Sequence, residues 1–94
     1  MKVRWTRHAI SDLNSAYDYV AAENPSVAER LIDRIESGVT ILARHPSAGR
    51  VGRIQGTCEL VVTGTPFIVP YRIRKGQVEL LALIHGSRRW PDSL

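Results

Sequence analysis

The chain has 94 residues, 44% of them hydrophobic, and 13 Lys and Arg against nine Asp and Glu for a net charge of +4, which predicts one compact domain over residues 1–94. Lone Cys58 excludes an internal disulfide, and the scattered His8, His45 and His85 have no zinc-ligand spacing, so no metal or other cofactor is expected. With no apolar run of ~18 residues and no leader pattern, a cytoplasmic chain without a membrane span is predicted; its positive charge lies on residues 44–94, where eight Lys and Arg face three acids, a field that attracts phosphate-bearing or acidic partners.

"KVRW" at 2–5 alternates polar and apolar residues and predicts a short strand. Ile10, Leu13, Ala16, Tyr17 and Val20 then recur at helical spacing, which predicts an amphipathic helix over about residues 7–23, ended by "ENPS". Ser26 and Glu29 form a capping-box pattern, followed by an apolar stripe of Val27, Leu31, Ile32, Ile35, Val39 and Leu42. The two helices make an antiparallel hairpin that "HP" at 45–46 ends. Gly38 within the stripe points to close packing rather than a break, since glycine costs about 1 kcal/mol of helix propensity.

After the loop the period changes to two. Runs at 57–63, 67–74 and 77–85, separated by "GTP" and "KG", predict a three-stranded antiparallel meander. The hairpin covers one face of this small antiparallel sheet, giving a two-layer α+β domain to which the first strand adds. Pro70 lacks a ladder donor and predicts a local irregularity. Arg72 and Arg74 share a strand face opposite Tyr71 and Ile73. Arg50 and Arg53 lie in the glycine-bracketed "GRVGR", a flexible loop offering forked cations to an anionic partner.

The ordered set of a strand, a helical hairpin, "HP" with Gly-Arg repeats, a "GT-x-EL" strand, a "PFIV-x-YR" strand and a final strand ending "HG" before "WP" resembles the RelE/ParE superfamily of bacterial toxins over nearly the whole chain. The resemblance implies a toxin of a type II toxin–antitoxin module that inhibits growth and is held inactive by a cognate antitoxin, with which it forms a hetero-oligomer. Members of the superfamily poison DNA gyrase or cut messenger RNA at the ribosome without metal. A ribonuclease needs a proton-transfer group and cations for the developing phosphate charge; His85, Arg72 and Arg74 are the candidates for that chemistry. Arg50, Arg53, Arg88, Arg89 and Trp90 are candidates for binding the target, Trp90 by stacking on a base or by packing the tail. Leu13, Tyr17 and Val20 are the candidates for an apolar groove that receives an antitoxin helix.

Three departures qualify the resemblance. Cys58 stands where arginine is usual before the strand glutamate. Thr63 and Trp90 stand where the well-studied ribonucleases carry arginine and tyrosine, and neither replacement performs acid–base work. DNA gyrase is therefore the favoured target, messenger RNA the alternative. A third alternative, an attenuated toxin acting mainly by binding its antitoxin, is motivated by Cys58 and Pro70.

Overall fold

The structure, a computed structural model, describes residues 1–94. Thr6 ends the first strand, β1 (Lys2–Trp5), and opens the first helix, α1 (Arg7–Ala21). Its hydroxyl oxygen accepts from the Ala9 N–H at 3.2 Å and its hydroxyl donates to the Leu80 carbonyl at 2.7 Å, so one side chain caps the helix and fastens it to the sheet. The second helix, α2 (Pro25–Thr40), starts ahead of the expected Ser26 box. Asn24 is the cap, accepting from the Val27 N–H at 3.3 Å, and the Ser26 hydroxyl donates to the Asn24 side chain instead. Pro25 explains the shift, because its fixed φ and missing donor suit the first helical position. A single 3₁₀ turn at Ile41–Ala43 follows α2.

Five further strands complete one sheet: β2 (Arg50–Val51), β3 (Cys58–Val61), β4 (Phe67–Arg74), β5 (Gln77–Leu80) and β6 (Ile84–His85). The order is β1-β5-β4-β3-β2, with β6 beside β4. The expected β3–β4–β5 meander is present, and Lys75 (φ 52°) and Gly76 (φ 72°) give its second turn the left-handed pair that a two-residue hairpin requires. The sheet is mixed rather than antiparallel, because β1 joins parallel to β5. β2 was not foreseen.

The run expected at 77–85 breaks in two, and Pro70 is the place. Tyr71 pairs with Leu80 and Ile68 with Ile84, so Val69 and Pro70 face Leu81, Ala82 and Leu83, a bulge of one residue. Leu81 donates its N–H to the Pro70 carbonyl at 2.8 Å, and proline has no N–H to return. The predicted irregularity is thus an extra residue on the strand opposite the proline.

One sheet face, carrying Leu60, Val69, Tyr71, Val78 and Leu80, packs with Ala9, Ile35, Val39 and Leu42 from the helical side. A Cβ on Gly38 would lie 3.2 Å from Val62 Cγ1, so the glycine lets α2 approach β3 closely. No helix is long and apolar enough to cross a membrane.

Tyr71 ties the loop after α2 to this core. Its hydroxyl donates to the Pro46 carbonyl at 2.7 Å and accepts from the Gly49 N–H at 2.9 Å; burial pushes its pKa above the usual 10.0. A Cβ on Gly49 would lie 2.6 Å from the Tyr71 ring and hydroxyl and 2.8 Å from the Glu59 carbonyl. Gly49 therefore serves close approach rather than the flexibility expected of "GRVGR". Gly49→Ala is expected to lower stability by about 2 kcal/mol through overpacking, read as a reduced urea midpoint with an unchanged slope.

Candidate functional site

The sheet face turned away from the helices is built in rungs. Register places Arg74, Gln77 and Lys2 on one, Arg72, Glu79 and Arg4 on the next, and Pro70, Glu59 and Arg50 on the third. Two carboxylates sit low in this face, each between two arginines. Glu59, 2% exposed, accepts at Oε1 from Arg50 Nε (3.2 Å) and Nη2 (3.0 Å). It also accepts at Oε2 from the Arg53 N–H (2.8 Å) and Nε (3.1 Å), with Arg53 Nη2 3.3 Å from Oε1. Glu79 accepts from Arg72 Nε at 2.7 Å and, on its other oxygen, from Arg4 Nη2.

A carboxylate withdrawn from water needs its charge met, and both are. Burial acts to raise the Glu59 pKa, and the hydrogen bonds from the Arg53 side chain and backbone and from Arg50 outweigh it, leaving the group below its usual 4.5. Hydrogen bonds from Arg72 and then Arg4 lower Glu79 in the same direction. Each carboxylate neutralises one of its two guanidiniums, and the four arginine side chains stay 41–54% exposed. The face remains positive, with its cations fixed in place.

Arg50 and Arg53 are thus held by Glu59, not free in a flexible loop, and Arg72 is held by Glu79. Arg74 shares their face and forms no ion pair. Trp90 folds back so that the Arg53 guanidinium carbon lies 3.7 Å from its ring centroid, a cation–π contact that anchors the tail. Cys58 pairs with Tyr71 and packs against the core side, so its departure from the arginine of the resemblance takes no charge from the Glu59 cluster.

His85 lies elsewhere. It pairs with Phe67, whose ring meets it edge-on at 5.6 Å between centroids, and Phe67 shares the helix-side parity of Val69 and Tyr71. Its Nδ1 accepts from the Ser87 N–H at 3.2 Å, with the Ser87 hydroxyl at 2.7 Å, so the neutral ring carries its proton on Nε2. His85 lines a groove of about 460 Å³ between α1 and the tail, with His8, Asp12, Tyr19, Val20, Leu83, Arg88 and Arg89 also on its walls. Asp12 accepts from the Leu83 N–H at 3.0 Å and lies 3.5 Å from His8 Nε2, which fixes α1 against the bulge. Val20 lines this groove, Leu13 packs against the core, and Tyr17 is half-buried outside the groove wall.

Glu59, Arg4 and Asp12 escaped the reading from sequence as site residues. Glu59 carried a signal, a charge inside the apolar run "CELVV"; Arg4 and Asp12 find partners 75 and 71 residues away and carried none.

A basic sheet face held by buried carboxylates, with a helical hairpin behind it and a groove at the tail, makes up a small two-layer α+β domain. Residues 3–90 match the family of ParE toxins of type II toxin–antitoxin systems, parDE. The chain is 40% identical to the candidate toxin Y4kP of Sinorhizobium fredii over 99% of its own length and 96% of the relative's. It is 29% identical to toxin RelE2 of Caulobacter vibrioides, over 93% and 97%. A chain of the solved chromosomal ParDE system of P. aeruginosa superposes with a TM-score of 0.81 at 30% identity, over 90% of this chain and 95% of that one. The protein belongs to the ParE toxin family of type II toxin–antitoxin systems, within the RelE/ParE superfamily.

Both carboxylates have folded-state pKa values below the usual 4.5, so their contribution is complete above that value and is lost as pH falls through the lower folded values. Urea midpoints are expected to be level near neutrality and to drop below about pH 4.5. Glu59→Gln should flatten part of that acid limb while lowering the neutral midpoint.

Proposed function

We propose that this toxin inhibits growth by poisoning DNA gyrase rather than by cutting messenger RNA. RNA cleavage by side chains alone needs a proton-transfer group and a cation at one phosphodiester. His85 is on the helix side of the sheet, where Arg88 and Arg89 are the cations of its groove, and Arg72 and Arg74 are on the other face. Phe67, which pairs with His85, and Arg72 are five positions apart on β4, roughly 16 Å along the strand.

The bulge opposite Pro70 sets which face His85 takes, while its distance along β4 keeps it from Arg72 in either register. In an unbroken β4–β5 ladder His85 would pair with Pro66, two rungs beyond Pro70 on the face of Arg72; the extra residue moves its partner to Phe67 and turns it to the opposite face. That separation carries the proposal. Cys58 is directed to the core and Pro70 is accommodated by the bulge, so neither takes a charge from the Arg–Glu–Arg clusters.

The antitoxin is proposed to place an apolar helix face in the groove beside α1, with Ala16, Val20 and Leu83 as its floor and Arg88 and Arg89 meeting acidic groups at the rim. The toxin is proposed to act in the cytoplasm, where its target and antitoxin are made.

Induction of the chain without its antitoxin is expected to leave translated messenger intact in primer extension and to accumulate gyrase-dependent DNA breaks, with His85→Ala still toxic. Codon-spaced cuts that vanish in His85→Ala would sink the gyrase reading. Val20→Glu is expected to weaken antitoxin affinity at least tenfold, about 1.4 kcal/mol, by calorimetry on a variant with wild-type circular dichroism.

A further inference from the structure

We infer that the open sheet face is a binding surface for the phosphodiester backbone of duplex DNA, with Glu59 and Glu79 as the positioning residues that set its guanidiniums. The two Arg–Glu–Arg clusters occupy neighbouring rungs of one face, and Arg74 and Lys2 continue the pattern on the next. Rungs two residues apart on a strand repeat about every 6.6 Å. The cations therefore form a fixed two-dimensional array rather than a set of flexible chains.

The array keeps unspent donors. Arg50 and Arg53 each direct Nε and Nη2 at Glu59, which leaves about three of the five N–H groups on each fork. Arg72 and Arg4 each direct one nitrogen at Glu79 and keep more. The carboxylates thus hold the forks without exhausting them, and a held fork loses less entropy on meeting phosphate.

The same face discriminates among anionic partners. A protein partner takes most of its affinity from an apolar core patch; on this face Pro70 and Ile68 are buried, and the half-exposed apolar side chain, Val61, stands beyond the clusters opposite Ile68. Single-stranded nucleic acid takes its affinity from free aromatic faces, and Trp90 already has Arg53 against its ring. What remains is charge with no stacking platform and no anchor pocket, which suits the regular phosphates of a duplex. The inference deepens the gyrase reading, since the poisoned complex contains DNA, and it is tested without gyrase so that the two can fail separately.

The full-length toxin, separated from its antitoxin and refolded, is titrated into a short fluorescent DNA duplex and followed by anisotropy across salt. Saturable binding is expected, with a slope of log K against log salt of about −4, as for four or five contacted phosphates. Arg74→Gln should reduce that slope by about one. Glu79→Gln is the decisive variant. It raises net positive charge, so a surface that senses charge alone would bind DNA more tightly; loss of fork positioning is expected to weaken binding about threefold or more.

Should Glu79→Gln fail to fold, Arg72→Lys asks the same question with the charge kept, and weaker binding is again expected. Absence of saturable binding at low salt, affinity unchanged or raised in the folded positioning variant, or equal binding of polyglutamate would each overturn the inference. A preference for single-stranded RNA of the same length would do so too.

Discussion

The buried carboxylate of Glu59 is the constraint around which the second half of the chain is arranged. It stands on a central part of the sheet, opposite Pro70, and a charge in that position is tolerable only with cations on both oxygens. Arg50 reaches it from β2 and Arg53 from the loop beyond, which also gives its backbone N–H. For both to arrive, the chain from Pro46 to Val51 must lie flat against β3 and the Tyr71 hydroxyl. The Gly49 position, with no room for a Cβ, follows from that geometry. Arg53 then supplies the surface against which Trp90 packs. Loop, edge strand and tail are thus consequences of one ionised group.

Glu79 plays the corresponding part for the first half. Between Arg4 and Arg72 it cross-links β1, β5 and β4 on the open face, while Thr6 binds the other end of the same join through Leu80. Parallel pairing of β1 with β5 is thereby fastened on the open face and again at its Trp5–Leu80 end. Asp12 completes the frame by accepting from Leu83 within the bulge, where the distorted ladder leaves a donor without a strand partner. The groove beside α1 opens where the sheet departs from regular pairing.

The periodic parts of this architecture were legible in the sequence. Helical spacing in residues 10–20 and 27–42, the "KG" turn and the alternation of β3 and β4 are local signals, and the structure has the elements they predict. Pro70 was legible as a fault, because a missing donor is a property of the residue alone. The parallel docking of β1 and the two-residue β2 were not, since neither has a turn or a period to announce it. The candidate site was legible in its residue types and misjudged in its electrostatics. Arg50 and Arg53 read as a flexible loop because glycine has two uses, φ freedom and close approach, and only the position of Tyr71 tells them apart. Nor does spacing along the chain reveal that Arg4 and Arg72 share a carboxylate.

The placement of His85 carries the deepest lesson, because in the sequence it has the composition of a catalytic histidine. Strand parity is a binary property, and a single inserted residue reverses it for everything downstream. Pro70 removes one ladder donor, the opposing strand takes up one residue, and the histidine that would have faced Pro66 on the open side stands beside Phe67 on the helix side instead. The consequence is a division between faces: paired arginines with no histidine among them on one side, His85 in a groove with apolar and charged walls on the other. The tail touches both, with Trp90 on Arg53 and Arg88 and Arg89 on the groove wall. The open face thus presents fixed cations with no histidine among them, and the face that His85 takes is set by one residue's worth of register.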